Sequence, residues 1–188
     1  MPNTFFISDT HFGHANIINF KRRDGSPLRA FDCVEDMDET MVSNWNNVVS
    51  DKDSVWHLGD VVINRKSLSI IQRLNGRKRL VLGNHDIFKN KDYLNAGFED
   101  FHAFKKFDDF VCTHIPVHSG SLGRWGKNVH GHTHADRVRL PRGADARTGE
   151  VLYSDSSDPN YYCVSVEQIN YTPISIEDLR LKLNGPTR

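Results

Sequence analysis

Cysteine is scarce in this chain and poorly placed for a framework. Only Cys33, Cys112 and Cys163 occur among 188 residues, an odd number with no CxxC pair. A disulfide scaffold and a cysteine zinc knuckle are therefore excluded as organising principles, and a reducing, cytoplasmic setting is expected. Long apolar runs are also missing, and nothing approaches the roughly 18 residues of a membrane span. The opening "MPNTFFISDTHFGH" lacks a basic stretch followed by an apolar one and a small-residue cleavage site, so no signal peptide is expected. Charge bias is absent too. The 24 basic and 24 acidic side chains cancel, which removes global steering toward nucleic acid and leaves only a local basic patch open. There is no internal repeat, low-complexity tract or dividing linker. The length suits one compact domain over 1–188, and 38% hydrophobic with 26% charged residues predicts a globular core.

Histidine is what the chain has in excess. There are ten, six of them between His102 and His134. The densest stretch, "VHGHTHAD" at 129–136, sets His130, His132 and His134 on alternate residues.

The chain reads as alternating strands and helices. "TFFIS" (4–8), "SVWHL" (54–58), "KRLVL" (78–82), "DFVCT" (109–113), "NVH" (128–130) and "NYYCVSVEQI" (160–169) are strand-like. The clearest helix is "FDCVEDMDETMVSNWNNVV". Asp32 is expected as its cap with Glu35 three residues on, and Val34, Met37, Met41, Trp45 and Val48 form its apolar face. Shorter helices are expected at 14–20 and 67–74. A last one over "SIEDLRLKL" has Ser175 as cap and Asp178 completing the box. The segment 140–159, "LPRGADARTGEVLYSDSSDP", is punctuated by Gly, Pro, Asp and Ser and reads as a loop or hairpin insertion.

The strand-like runs end in potential metal ligands: Asp9 and His11, Asp60, Asn84, His114, and His132 with His134. In layered α/β folds, ligands bind beyond the carboxyl ends of strands. Carboxylate, amide and imidazole without thiolate suit Mn, Fe, Zn, Co or Ni rather than soft metals. Seven ligands are too many for one catalytic ion with open positions. They suit two ions that share a carboxylate, hold a bridging hydroxide and clamp the attacking and leaving oxygens of a phosphoryl transfer. Asp60 is best placed to bridge, because Gly59 lets the chain turn tightly before it.

With these blocks assembled, "DTH" at 9–11, "GD" at 59–60, "GNHD" at 83–86, "TH" at 113–114 and "GHTH" at 131–134 resemble, in order and spacing, the five signature blocks of the calcineurin-like metallophosphoesterase superfamily. The resemblance is closest to its small phage-like and bacterial members. It implies an α/β (α+β) fold, a four-layer αββα sandwich with two mixed sheets and the metal site at the strand C-terminal ends. It further implies that Asp9, His11 and His134 hold one ion, that Asn84, His114 and His132 hold the other, and that Asp60 bridges them. Two divalent ions are the implied cofactors, with manganese favoured and Fe, Zn, Ni, Co or Mg as alternatives. His85 would face substrate and protonate the leaving oxygen. Asp86 would orient His85 or raise its pKa, or else cap a helix. His14, His118 and Arg124 are candidate substrate contacts, and Trp125 beside Arg124 is another. His14 alternatively caps the first helix, and Arg124 and Trp125 alternatively belong to an ordinary surface loop. His57 and His130 read as structural residues or neighbours of the ligands.

The expected function is hydrolysis of a small phosphate ester, a diester slightly ahead of a monoester, with a nucleotide or cyclic nucleotide as candidate substrate and no membrane partner. A nuclease of the same superfamily and a non-catalytic scaffold on the same fold are the alternatives. The loop Ser119–Lys127 and the 140–159 segment are where specificity is expected to reside.

Overall fold

A computed structural model describes residues 2–185. In chain order the elements are β1 (Thr4–Ile7), α1 (Val34–Val48), β2 (Ser54–His57), α2 (Leu68–Ile71), β3 (Arg77–Val81), α3 (Asn90–Ala96), β4 (Phe98–His102), β5 (Lys105–Lys106), β6 (Phe110–Cys112), α4 (Leu122–Trp125), β7 (Lys127–His130), β8 (Arg139–Ala144), β9 (Val151–Ser157), β10 (Tyr161–Cys163), β11 (Ile174–Ser175) and α5 (Ile176–Asn184). Three short 3-10 turns lie at Ala15–Asn19, Arg65–Ser67 and Ser119–Ser121.

Two mixed sheets carry the architecture. The first has strand order β11-β1-β2-β3-β4 and the second β10-β7-β6-β5. Within the first, only β11 runs antiparallel, and within the second only β5 does. The central strands bury both faces, as expected when a parallel sheet is covered on each side. Successive side chains alternate between two cores. Phe5 and Ile7 of β1, Val55 of β2 and Leu80 of β3 pack with Met37, Met41 and Trp45 of α1, Ile71 of α2 and Tyr93 of α3. Phe6, Trp56 and Val81 turn the other way, onto Phe110, Cys112 and Val129 of the second sheet and Leu179 and Leu183 of α5. The fold is thus an α/β sandwich of two facing mixed sheets, with α1–α3 outside the first. On the far side, the helical layer shrinks to α4, which packs beside β7, while α5 packs against β1, β10 and β11. Among the described residues, no helix is long and apolar enough to cross a membrane.

Several local expectations shift. Helix α1 is capped by Cys33, not Asp32. Cys33 is the last extended residue, and its Sγ accepts the Asp36 amide at 3.4 Å. Val48 faces solvent, and Val42 and Val49 are buried instead, so the apolar face follows steps of four through Met37, Met41, Trp45 and Val49. The run 160–169 is not one strand, because it changes sheets. Residues 161–163 pair with β7, while Ser165 bridges to Ser8 at the end of β1. The Ser8 amide donates to Val164 O and the Val166 amide to Ser8 O, which joins the two sheets at the site. Segment 90–106, unassigned from sequence, forms α3, β4 and β5. Ser175 caps α5, its Oγ accepting the Asp178 amide at 3.1 Å. Residues 139–157 form the antiparallel ribbon β8–β9, which is largely exposed.

Phe110 is fully buried between the sheets, edge-on to Phe6 at 5.7 Å and stacked on Phe107 at 4.8 Å. Phe110→Ala is expected to cost about 3–5 kcal/mol in urea unfolding. A loss below about 1 kcal/mol would contradict its position between the sheets.

Candidate metal centre

Parallel strands bring their ends to one edge of each sheet, and the two edges adjoin. Asp9 and His11 follow β1, Asp60 follows β2, Asn84 follows β3, His114 follows β6, and His132 and His134 follow β7. The His132 amide donates to both oxygens of the Asp9 carboxylate, at 3.1 and 2.9 Å, across 123 residues of chain. Asp60 Oδ2 lies 3.5 Å from His11 Nε2 on one side and 3.5 Å from His114 Nε2 on the other. Asn84 Oδ1 is 2.9 Å from both His114 Nε2 and His132 Nδ1. The His11 and His134 rings stack at 5.3 Å.

Two sets of donor atoms are close enough to hold an ion: Asp9, His11 and His134, and Asp9, Asp60 and His114. Asp9 therefore belongs to both sets, and Asp60 is equidistant from an imidazole of each. All seven ligand-type residues named from sequence are brought to this edge.

The backbone is bent to achieve this. Asp9, His11, Asp60, His132 and His134 all have φ between 47° and 69°, a left-handed region that side chains other than glycine rarely adopt. Strain of this kind persists only where surrounding structure imposes it, and it clusters at functional sites. Gly59, with φ 100°, is required in its place. A Cβ there would stand 2.6 Å from His114 Nδ1 and 2.7 Å from Gly83 Cα. Gly131 is required by close approach, since a Cβ would run into Ser8 Oγ and the Asp9 carboxylate.

Burial and pairing set the protonation states. Burial holds the His11 pKa down to about 2, against the pull of Asp60, so its imidazole is neutral. Burial raises Asp9 above the usual carboxylate range. Asp60 is also buried, but the hydrogen bond and charge of His114 and the amide of His85 outweigh that and bring it to about 2. His114 and His134 are raised despite burial, the first by Asp60 and the second by Glu167. His114 Nδ1 donates to Leu58 O at 2.8 Å, which turns Nε2 toward Asp60. Fixing the far nitrogen in this way orients a ligating imidazole.

The remaining predicted residues divide. His85 is exposed at the rim. Its amide donates to Asp60 Oδ1 at 2.8 Å, and its ring is 5.4 Å from that of His11. Asp86 does not orient His85. Its oxygens accept the amides of Asp60 and Gly83, each at 2.8 Å, and of Val61 at 3.0 Å, so it clamps the loops after β2 and β3 together. His14 reaches the site, edge-on to His11 at 5.9 Å, and its side chain caps nothing. His118 is exposed, and its Nδ1 accepts the Gly120 amide at 3.1 Å. Arg124 is exposed on α4, while Trp125 stacks on Phe104 at 5.7 Å. Among the described residues, neither His118 nor Arg124 hydrogen-bonds or stacks with any of the seven. His57 is buried between the Gly59 amide and Thr10 Oγ1, and His130 is tied to Gly131 O at 2.7 Å. A cavity of about 620 Å³ between the base of the β8–β9 ribbon and α5 includes none of the seven ligand-type residues in its lining.

Sequence reasoning missed Arg29 and Glu167. Both side chains are fully buried and pair at 2.7 Å. The Arg29 guanidinium also donates to the backbone oxygens of Asp9 at 2.5 Å and Thr10 at 2.9 Å, and Glu167 Oε1 lies 3.0 Å from His134 Nδ1. One buried pair thus supports both ends of a candidate triad. Glu167 was findable. "YYCVSVE" is an apolar run ending in an acid, the same pattern that singles out Asp60. Arg29, in a polar loop, carries no such signal.

Because Glu167 holds the His134 pKa up, Glu167→Gln in protein kept in chelator should lower the His134 titration midpoint, followed by NMR. It should also destabilise the fold by about 3–5 kcal/mol through the uncompensated Arg29 charge. An unchanged His134 midpoint would contradict the contact.

No family model matches the chain. The uncharacterised protein MJ1445 of Methanocaldococcus jannaschii is 36% identical over 187 residues, covering 97% of this chain and 92% of that protein. The gene 66 protein of Mycobacterium phage L5 is 38% identical over 91 residues, 46% of this chain and 41% of that protein. Among solved structures, the protein of unknown function AQ665 from Aquifex aeolicus superposes with a TM-score of 0.66 at 25% identity, covering 96% of this chain and 98% of the other. With that identity over nearly its whole length, the chain belongs to the family of the archaeal protein MJ1445.

Proposed function

We propose that this chain is a dinuclear-metal-dependent phosphodiesterase of the calcineurin-like metallophosphoesterase type. The observation that carries the reading is the convergence of seven Asp, Asn and His residues, from five separate strand ends, on one edge of the sandwich, five of them in left-handed backbone. The donor set fits two borderline divalent ions, with manganese favoured. Among the described residues, two donor sets, one fully and one largely buried, have their atoms close enough to hold an ion, and the buried His11 Nδ1 has no hydrogen-bond partner. Asp9, His11 and His134 would hold one ion, and Asn84, His114 and His132 the other. Asp60, whose Oδ2 faces both halves, would be shared. When bound, such a pair supplies Lewis acidity toward a phosphoryl oxygen and lowers the pKa of water toward neutrality.

The chain's own groups do the rest. His85, held at the rim by the hydrogen bond its backbone amide donates to Asp60, would present its imidazole to the leaving oxygen and protonate it. Asp86 would fix the distance between Asp60 and the loop that carries Asn84 and His85. The Arg29–Glu167 pair would keep His134 oriented. A non-catalytic scaffold is disfavoured, because every ligand-type position is filled by a residue able to coordinate.

Bis-p-nitrophenyl phosphate should be hydrolysed in the presence of Mn²⁺. Asp60→Ala should abolish that activity together with retention of both ions by elemental analysis, and a variant that kept two ions would contradict the shared role of Asp60. His85→Ala should retain the metal but lose about 10²–10⁴-fold in turnover on a poor leaving group. The loss should be smaller for p-nitrophenolate, which needs no proton. Equal losses on both would make the role of His85 electrostatic only.

A further inference from the structure

Beside His134 opens a cavity of about 440 Å³ with four cations in its wall: Lys21, Arg22, Arg23 and Arg139. Two acids line it as well, Asp24 and Asp136. Asp24 Oδ1 accepts from the amide and hydroxyl of Ser26 at 2.9 and 2.6 Å, and Asp136 pairs with Arg23 at 3.2 Å. Lys21, Arg22 and Arg139 have no carboxylate within ion-pair distance among the described residues. In a chain whose formal charges cancel, four cations against two acids around one cavity at the edge of the candidate metal centre make a local excess of positive charge.

An aromatic path runs outward from the metal ligands to the residue that precedes Lys21 in the chain. The His11 ring meets His14 at 5.9 Å, and His14 meets Phe20 edge-on at 5.7 Å. Phe20 is 44% exposed and directly precedes Lys21. An exposed ring beside a row of cations is the combination that takes a base on its face and a phosphate on its charges.

We infer that this cavity is a subsite for a second phosphate of a nucleotide substrate, next to the one undergoing hydrolysis, with Phe20 offering a stacking face for a base. The inference rests on the phosphodiesterase reading above and narrows it to substrates that carry more than one phosphate. The shared chemistry is a phosphate one nucleotide, or one phosphoanhydride link, from the scissile ester. An oligonucleotide backbone and a nucleoside polyphosphate both supply it.

The test compares the p-nitrophenyl ester of thymidine 5′-phosphate with and without a 3′-phosphate, alongside bis-p-nitrophenyl phosphate, all with Mn²⁺. The 3′-phosphate should lower KM by about tenfold or more at low salt, and the gain should shrink as salt rises. Lys21→Ala, Arg22→Ala and Arg139→Ala should each remove part of that gain while leaving bis-p-nitrophenyl phosphate turnover unchanged. Competition by trithymidylate against thymidine triphosphate separates the two sources. In parallel, calorimetry on protein kept in chelator should show thymidine 3′,5′-bisphosphate binding more tightly than thymidine 5′-phosphate, and the triple variant should lose the difference. Hydrolysis of the simple diester with no 3′-phosphate preference and no calorimetric difference would overturn the subsite and leave the phosphodiesterase reading standing. No hydrolysis of any ester, with the calorimetric difference intact, would overturn the phosphodiesterase reading and leave an anion site. Loss of both overturns both.

Discussion

Burial of the Asp9 carboxylate is the constraint around which the rest of the centre is arranged. A carboxylate out of water needs donors, and these come from distant parts of the chain: the His132 amide and, 156 residues away, the Ser165 hydroxyl at 2.8 Å. Arg29 holds the backbone oxygen of the same residue. Asp9 thereby ties the end of the first sheet's β1 to the loop after β7 of the second, and to the segment that crosses between the sheets. Asp9 acts alongside the Glu167 contact to His134, the Leu58 carbonyl that turns His114 and the Asp86 clamp on Asp60. The left-handed backbone at five ligand positions is the cost of that convergence, carried by a fold whose strands are buried on both faces.

The convergence of the seven ligand-type residues was legible in the sequence because the strand ends mark themselves. A short β-branched or aromatic run that ends in Asp, Asn or His reads clearly, and Gly59 and Gly131 mark where backbone must approach closely. Ser175 was legible as a cap for the same local reason. What escaped is what depends on tertiary contacts. Asp86 looks like a partner for the adjacent His85, but only the fold shows its oxygens taken by three amides across two loops. Arg29 sits in a polar loop and looks like a surface residue, yet it is fully buried because Glu167 and two backbone oxygens meet it. The displaced cap of α1 and the division of 160–169 between two sheets have the same origin. Local propensity places an element to within a residue or two, and packing chooses the register.

The two levels meet at the mouth of the site. In the proposed phosphodiesterase, the strand ends would supply a centre that treats phosphate esters alike, and whatever distinguishes one ester from another would come from the loops around it. The Lys21–Arg23 loop and Arg139, at the start of the β8–β9 ribbon, converge from different parts of the chain on the same cavity, next to a candidate ligand. His118 and Arg124, candidate substrate contacts from sequence, lie on a segment that packs beside β7 and, through Trp125, on Phe104, and neither hydrogen-bonds to or stacks on a ligand-type residue among the described residues.

The central claim is that two ions are held by one set of strand ends. Its most direct test is anomalous diffraction from crystals of the wild-type chain grown with Mn²⁺. The account predicts two peaks about 3.5–4 Å apart, one against Asp9, His11 and His134 and the other against Asn84, His114 and His132, with Asp60 between them. A single peak, or manganese bound anywhere but at this edge of the sandwich, would contradict it.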